Sequence, residues 1–131
     1  MELTTYSENR LWNSLQHWRV CKDFADPMFN YLVYGISPGG FFSSWYANDV
    51  TAILHCHPAN TVESLKDLTK WMVNCMPHEA WGTRDRVQGW LKLVTAERRK
   101  ILEERELVYS EQDEIMMSLK GYPSNEPGYW Y

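Results

Sequence analysis

The sequence has 131 residues, of which 44% are hydrophobic and 23% charged, a balance typical of one globular domain. This composition excludes a disordered chain, a collagen-like chain and a multidomain enzyme. No apolar run approaches the roughly 20 residues that cross a bilayer, and the start of the chain does not resemble a secretion signal. The net charge of −4 disfavours non-specific binding of nucleic acid, and three cysteines without disulfide-rich spacing predict a reducing compartment.

Apolar residues that recur at intervals of three and four predict an all-α fold, a compact bundle of about five helices. The predicted helices, in chain order, cover 7–22, 27–34, 41–56, 61–76 and 84–120. They form a single helical domain over residues 1–121, and an aromatic C-terminal tail follows over 122–131. Such an end is usually mobile unless it is tied down, but three terminal aromatic residues favour docking on the domain.

The first two helices have clear end signals. Ser7 is the predicted N-cap of the first, and Asp26-Pro27 is predicted to open the second because proline suits a first helical turn. Gly35 suits the position just after a helix C-terminus. The second segment is short, so a buried strand over 27–36 is the alternative.

The last helix is predicted to begin at Thr83 as N-cap, with Gly82 making a sharp entry and Trp81 packing nearby. Branched aliphatic residues then recur every seven positions, at Val87, Val94, Ile101, Val108 and Ile115. This repeat resembles the a positions of a parallel coiled coil, but polar residues occupy most of the matching d positions. The pattern therefore favours one or two long amphipathic helices, with an intermolecular coiled coil as the alternative.

His55 and His57 lie at the end of the third predicted helix, and Cys75 and His78 lie at the end of the fourth. Imidazole and thiolate groups are zinc ligands, and Cys75-x-x-His78 has the spacing of a ligand pair. However, a helix over 61–76 is about 24 Å long and separates the two pairs. The spacing favours buried cysteines and helix-end imidazoles over a zinc site, and no cofactor is predicted.

The sequence lacks a phosphate-binding loop, a dinucleotide fingerprint, a zinc-protease motif and an activated nucleophile, so no catalytic residue is predicted. The loop Pro38-Gly39-Gly40-Phe41 precedes a helix and is typical of a tight turn, with an anion site as the alternative. A basic stretch runs from Arg84 to Glu106, but interspersed acids reduce its net charge to +2, seven bases minus five acids. It predicts a solvated helix face rather than a nucleic-acid stripe.

A set of short motifs between residues 28 and 92 resembles a pattern in small tailed-bacteriophage proteins of unknown function. The residues that carry it are Asn30-Tyr31-x-x-Tyr34-Gly35-x-x-Pro38-Gly39-Gly40-Phe41, Asn48-Asp49, Ala59-Asn60, Asn74, Pro77, Trp81-Gly82 and Trp90-Leu91. The resemblance implies a phage accessory protein made in the cytoplasm of a bacterial host. It implies no catalytic role for any position.

Seven Trp and eight Tyr are more than a core of this size needs, which favours a contact surface. We therefore expect a phage-encoded protein that binds and modulates or inhibits a host macromolecule stoichiometrically, either a protein or a protein–nucleic-acid complex, for example in a defence system. The alternatives are a small zinc- or cysteine-dependent enzyme and a dimeric DNA-binding regulator. No membrane or small-molecule partner is predicted.

Two regions are the predicted contacts: the glycine loop, because it is surface-prone, and the outer part of the long helix, because it outruns the core. The same helix offers a row of branched residues to a second copy of the chain in a homodimer. The predicted contact residues are Pro38, Gly39, Gly40, Phe41, Arg98, Ile101, Arg105, Val108 and Ile115.

Overall fold

The computed structural model describes residues 3–47 and 62–122, and every regular element within these ranges is helical. The elements in chain order are α1 (Thr5–His17), α2 (Lys22–Tyr34), α3 (Gly40–Tyr46), α4 (Val62–Cys75), a 3-10 turn (His78–Ala80), α5 (Arg84–Lys92), α6 (Thr95–Glu104) and α7 (Glu111–Leu119). The all-α prediction is confirmed for this part of the chain, and the alternative strand over 27–36 is wrong.

Helix α2 lies at the centre of the core and buries more than half of its residues. It packs against α1 and α6. The Tyr31 hydroxyl donates to the Ala80 carbonyl at 2.6 Å, and the Trp90 indole donates to the Tyr31 carbonyl at 3.0 Å. Trp12 of α1 stacks on Phe29 with ring centroids 4.4 Å apart. Buried aromatic groups with satisfied polar atoms thus join α2 to the elements around it.

Helix α2 begins one turn earlier than predicted, and Pro27 lies inside it. The Cys21 carbonyl accepts from the amides of Phe24 and Ala25, each at 2.9 Å. Phe24 and Ala25 are fully buried, so packing favours the extra turn although Pro27 has no amide to donate. The C-terminus agrees with the prediction, because Gly35 has φ +64° and follows the last helical residue.

The predicted cap of α1 is wrong. The helix starts at Thr5 with Thr4 as N-cap, and Ser7 is fully buried within the first turn. The Ser7 hydroxyl accepts a hydrogen bond from the Tyr109 amide at 3.0 Å. Ser7 therefore joins α1 to a distant loop, a role that local sequence cannot indicate.

The predicted long helix over 84–120 is also wrong, because this region contains three shorter helices. Leu93 and Val94 are extended between α5 and α6, and the Leu93 carbonyl accepts from the Arg98 guanidinium. After α6, Glu106 has φ +60° and the chain turns so that Leu107 and Val108 enter the core. Tertiary packing overrides helical continuity at both points, and neither break contains Gly or Pro.

The predicted start at Thr83 is confirmed. Its hydroxyl oxygen accepts from the Arg86 amide at 3.1 Å, and Gly82 has φ +110°. Trp81 is half-buried against the core. Residues with a side chain rarely adopt this backbone conformation, which explains the glycine at position 82.

The longest described helix, α4, has 14 residues, and no helix in residues 3–47 and 62–122 is long and apolar enough to cross a membrane. The second half of the helix predicted over 41–56 lies outside the described residues, as does nearly all of the tail predicted over 122–131.

Candidate functional site

Helix α7 buries an acidic residue and exposes apolar ones, which is the reverse of a core helix. Its buried residue is Glu114, which is 4% exposed, whereas Ile115 is 60%, Met116 45% and Leu119 82% exposed. Tyr122, just after the helix, is also half-exposed. We call Ile115, Met116, Leu119 and Tyr122 the α7 surface. An amphipathic helix in a monomer normally buries its apolar side, so this arrangement marks a candidate contact surface.

The Glu114 carboxylate attaches α7 to the rest of the protein. It accepts hydrogen bonds from the Thr4 amide at 2.9 Å and from the Thr4 hydroxyl, and the Arg99 guanidinium donates to its other oxygen. Arg99 is 4% exposed and also donates to Glu103 at 3.0 Å and to the Tyr109 carbonyl at 3.3 Å. One buried ion pair therefore joins α7, α6 and the start of α1.

Both members of this pair are held in their charged forms. Burial alone raises the pKa of Glu114, but hydrogen bonds from Thr4, Ser7 and Arg99 outweigh it and leave the pKa below its ordinary value. Burial alone lowers the pKa of Arg99, but Glu114 and Glu103 outweigh it and raise the pKa. The pair is thus ionised at neutral pH, as a satisfied buried ion pair must be.

A groove of about 390 Å³ runs beside this pair. Arg99 and Glu114 contribute polar groups to it, and Ile115 and Leu119 contribute apolar groups. Glu111 also lines it and is exposed, as is Asp113 in the same helical turn, whereas α7 contains no basic residue. The α7 surface is therefore apolar, with acids at the N-terminal end of the helix and the exposed Lys120 just after its C-terminal end.

A second open groove, of about 360 Å³, lies between α3 and α4 and is lined almost entirely by apolar atoms. Trp45 and Leu65 form its apolar part, and Thr69 lies beside them. Lys66 and Lys70, one helical turn apart and both exposed, contribute the aliphatic parts of their side chains. We call these five residues the α3–α4 groove.

The structure places the predicted contact residues of the C-terminal region in different environments. Val108 is 1% exposed and belongs to the core, and Ile101 packs partly against it, so the predicted row of branched residues is not one surface. Arg105 is exposed and pairs with Glu79 at 3.1 Å. Ile115 alone of this row belongs to the α7 surface. The five residues of the seven-residue repeat also lie on different helices or between them, so they form no coiled-coil seam.

Arg98 is a structural residue rather than a contact residue. It is 5% exposed, and its guanidinium donates to the Val33 carbonyl at 3.3 Å near the C-terminus of α2 and to the Thr95 hydroxyl at 3.3 Å. Burial lowers its pKa from the ordinary value. A Cβ on Gly35 would lie 2.6 Å from this guanidinium, which is a second reason for glycine there. With Arg98 and Arg99 both buried, the basic stretch is not a continuous surface stripe.

The glycine loop is exposed. Gly39 has φ +92° and caps α3, and a Cβ on Gly39 or Gly40 would meet no atom within 4 Å. The turn conformation of Gly39, rather than a close backbone approach, accounts for that glycine. Pro38 is half-buried, and the side chain of Phe41 lies outside the described residues.

The metal candidates are not brought together in the part of the chain that the structure describes. Cys75 is half-buried at the end of α4, where burial raises the pKa of its thiol, and His78 is exposed in the 3-10 turn. His55 and His57 lie outside the described residues. Within residues 3–47 and 62–122, no three His, Cys, Asp or Glu side chains form a group that could hold a metal ion.

Sequence reasoning did not find Glu114, Arg99, Met116 or Leu119. A usable signal was present, since Ser110 followed by acidic residues is a helix start, and its side chain does accept from the Asp113 amide at 3.2 Å.

Comparison of the chain with protein-family models, curated proteins and solved structures found no match in any of the three.

Proposed function

We propose that this protein acts by stoichiometric binding of another protein and that the α7 surface is its main contact. The observation that carries the proposal is the orientation of α7, which buries a carboxylate and exposes Ile115, Met116 and Leu119. Methionine and aromatic side chains are enriched at protein interfaces, and α7 presents Met116 with Tyr122 close by. A catalytic function has no comparable support among the described residues.

The partner's chemistry follows from the edge of this surface. Glu111 and Asp113 are exposed at its N-terminal end, whereas Lys120 follows its C-terminal end. A partner with an apolar patch flanked by Lys or Arg matches both features, because opposite charges favour encounter and orientation. The resemblance to small phage proteins adds the setting: the partner is a bacterial host protein, and binding modulates or inhibits it by covering a basic surface.

The test is affinity capture from bacterial lysate with three baits. These are the unchanged protein, the α7 variant Ile115→Gln/Leu119→Gln, and the control Val73→Gln/Val94→Gln. Val73 and Val94 are each 59% exposed, so the control removes a similar apolar area elsewhere. Glutamine is chosen because a glutamate at 115 would face Glu111 four residues away and destabilise the helix.

We expect a protein that the unchanged bait and the control retain and that the α7 variant loses. With the purified partner, calorimetry should give a fixed molar ratio and at least a tenfold weaker Kd for the α7 variant, equivalent to about 1.4 kcal/mol. Equal retention by the α7 variant and the unchanged protein would contradict the proposal.

A further inference from the structure

Helix α7 carries charges of opposite sign at the two ends of its exposed side. Asp113 is exposed in its first turn, and Lys120, which caps its C-terminus in a right-handed helical conformation, is exposed as well. The two residues are seven positions apart, so they lie on the same side of the helix, about 10 Å apart along its axis. Ile115, Met116 and Leu119 lie between them in the sequence and are exposed. The exposed side of α7 therefore runs from an acid through apolar side chains to a base.

The other two acids of α7 do not belong to this side of the helix. Glu114 is buried, and its charge is paired with Arg99. Glu111 is exposed, but it lines the groove at the other edge of α7, because residues two positions apart in a helix point about 160° apart. On the exposed side of α7, the charges are therefore those of Asp113 and Lys120.

This order of charges is complementary to itself when two copies of α7 pair in antiparallel orientation. With a two-fold axis between positions 116 and 117, Asp113 of each copy lies opposite Lys120 of the other, because both residues are equally far from the axis. The apolar residues of the two copies then meet between the charges. In a parallel pair, aspartate would face aspartate and lysine would face lysine, and such like charges disfavour that orientation.

The size of the contact predicts a weak association. Helix α7 has nine residues and is about 13 Å long, whereas a standard stable interface buries about 800 Å² on each partner. Burial of Ile115, Met116 and Leu119 supplies most of the affinity. Exposed ion pairs add little to the affinity, but they select the antiparallel orientation.

We infer that the α7 surface binds the α7 surface of a second copy of this chain in an antiparallel pair, with Asp113 of each copy beside Lys120 of the other. The inference rests on the proposed function because it uses the same α7 surface. Both copies contribute the same surface, so the assembly closes at a dimer. The dimer covers the exposed apolar residues until a protein partner displaces the second copy.

The test compares charge reversals on α7 with matched reversals on another helix. Lys120→Glu and Asp113→Lys each bring like charges together in the pair, whereas Asp113→Lys/Lys120→Glu exchanges the charges and keeps the pair complementary. The controls Lys92→Glu and Asp85→Lys make the same charge changes at exposed residues of α5. Sedimentation equilibrium from micromolar to millimolar concentration measures the association of each protein, and circular dichroism melting checks that each remains folded.

The unchanged protein and both controls should form a dimer and nothing larger, with a Kd in the micromolar range. Each single reversal on α7 should weaken the association by about fivefold or more, and high salt should reduce this difference because it screens the charges. The double exchange should restore the association of the unchanged protein. Ile115→Gln/Leu119→Gln should remain monomeric because it removes the apolar contact.

Four results would overturn the inference: an unchanged protein that is monomeric throughout this range, assemblies larger than a dimer, single reversals that weaken association no more than their controls, or a double exchange as weak as the single reversals. The proposed function is tested separately, by partner binding to Ile115→Gln/Leu119→Gln. A monomeric protein that loses its partner through this variant would refute the dimer and leave the proposed function supported. A dimer that this variant dissociates, while the variant still binds the partner, would support the dimer and refute the proposed function.

Discussion

Helices α2 and α7 show two ways in which one chain uses a helix. Helix α2 buries apolar residues on several sides and exposes polar ones, whereas α7 buries one glutamate and exposes its aliphatic residues. Burial of apolar surface stabilises α2, while a satisfied ion pair and hydrogen bonds position α7. The difference indicates that α2 serves stability, and it is the basis of our proposal that α7 contacts another protein.

The largest expected effect is the truncation of a buried apolar residue in α2. Leu32 is fully buried in α2, so Leu32→Ala should lower the free energy of unfolding by about 4 kcal/mol through lost burial and a cavity. Chemical denaturation measures the change. The control is Leu119→Ala, which removes the same atoms from an 82% exposed side chain. Similar losses for both variants would contradict the distinction between α2 and α7.

The next effect concerns the attachment of α7. Glu114→Ala leaves the buried Arg99 guanidinium without its main partner and should destabilise the protein by about 3 kcal/mol. Glu111→Ala is the matched control, because Glu111 is an exposed acid on the same helix. Denaturant titration followed by circular dichroism measures both. If the two variants lose equal stability, the ion pair does not hold α7.

The same carboxylate should produce a pH dependence. The pKa of Glu114 is below its ordinary value in the folded protein, so its contribution is complete above the ordinary value and is lost as the pH falls through the lower value of the folded state. We expect the difference in the free energy of unfolding between the unchanged protein and Glu114→Gln to shrink as the pH falls below the ordinary pKa of glutamate. A difference that stays constant or widens on acidification would contradict the ionised pair.

The sequence predicted the parts of this fold that depend on local signals. Thr83 caps α5 through its own hydroxyl, and Gly35 ends α2 with a positive φ, so both are visible from residue type. The breaks after α5 and α6 depend on Arg98 bonding to Leu93 and on Val108 entering the core. Such long-range contacts leave no periodic signal, so the seven-residue repeat wrongly predicts one helix.

The candidate site likewise contains one residue that the sequence predicts and one that it does not. Ile115 was predicted from its position in the repeat and is exposed, whereas Glu114 beside it was not predicted because a glutamate on a helix is normally solvated. Its burial depends on Thr4, which is 110 positions away in the chain. Contacts over that distance are determined by the tertiary fold and not by local pattern.

A smaller effect tests a local signal. Thr83→Ala removes the side-chain acceptor of the Arg86 amide and should cost about 1 kcal/mol. Thr83→Ser keeps an acceptor and serves as the control, with a melting temperature close to that of the unchanged protein. An unchanged melting temperature for Thr83→Ala would show that this cap does not contribute to stability.

The smallest expected effect is the most informative about α7. Ile115→Gln/Leu119→Gln replaces two exposed aliphatic side chains and should change the free energy of unfolding of the dilute protein by less than about 0.5 kcal/mol. The measurement is denaturant unfolding at low protein concentration, where self-association does not contribute. A loss above about 1 kcal/mol would mean that these side chains pack within their own chain, since exposed positions rarely cost so much. Unchanged stability together with lost binding would mean that α7 presents its apolar residues to a partner.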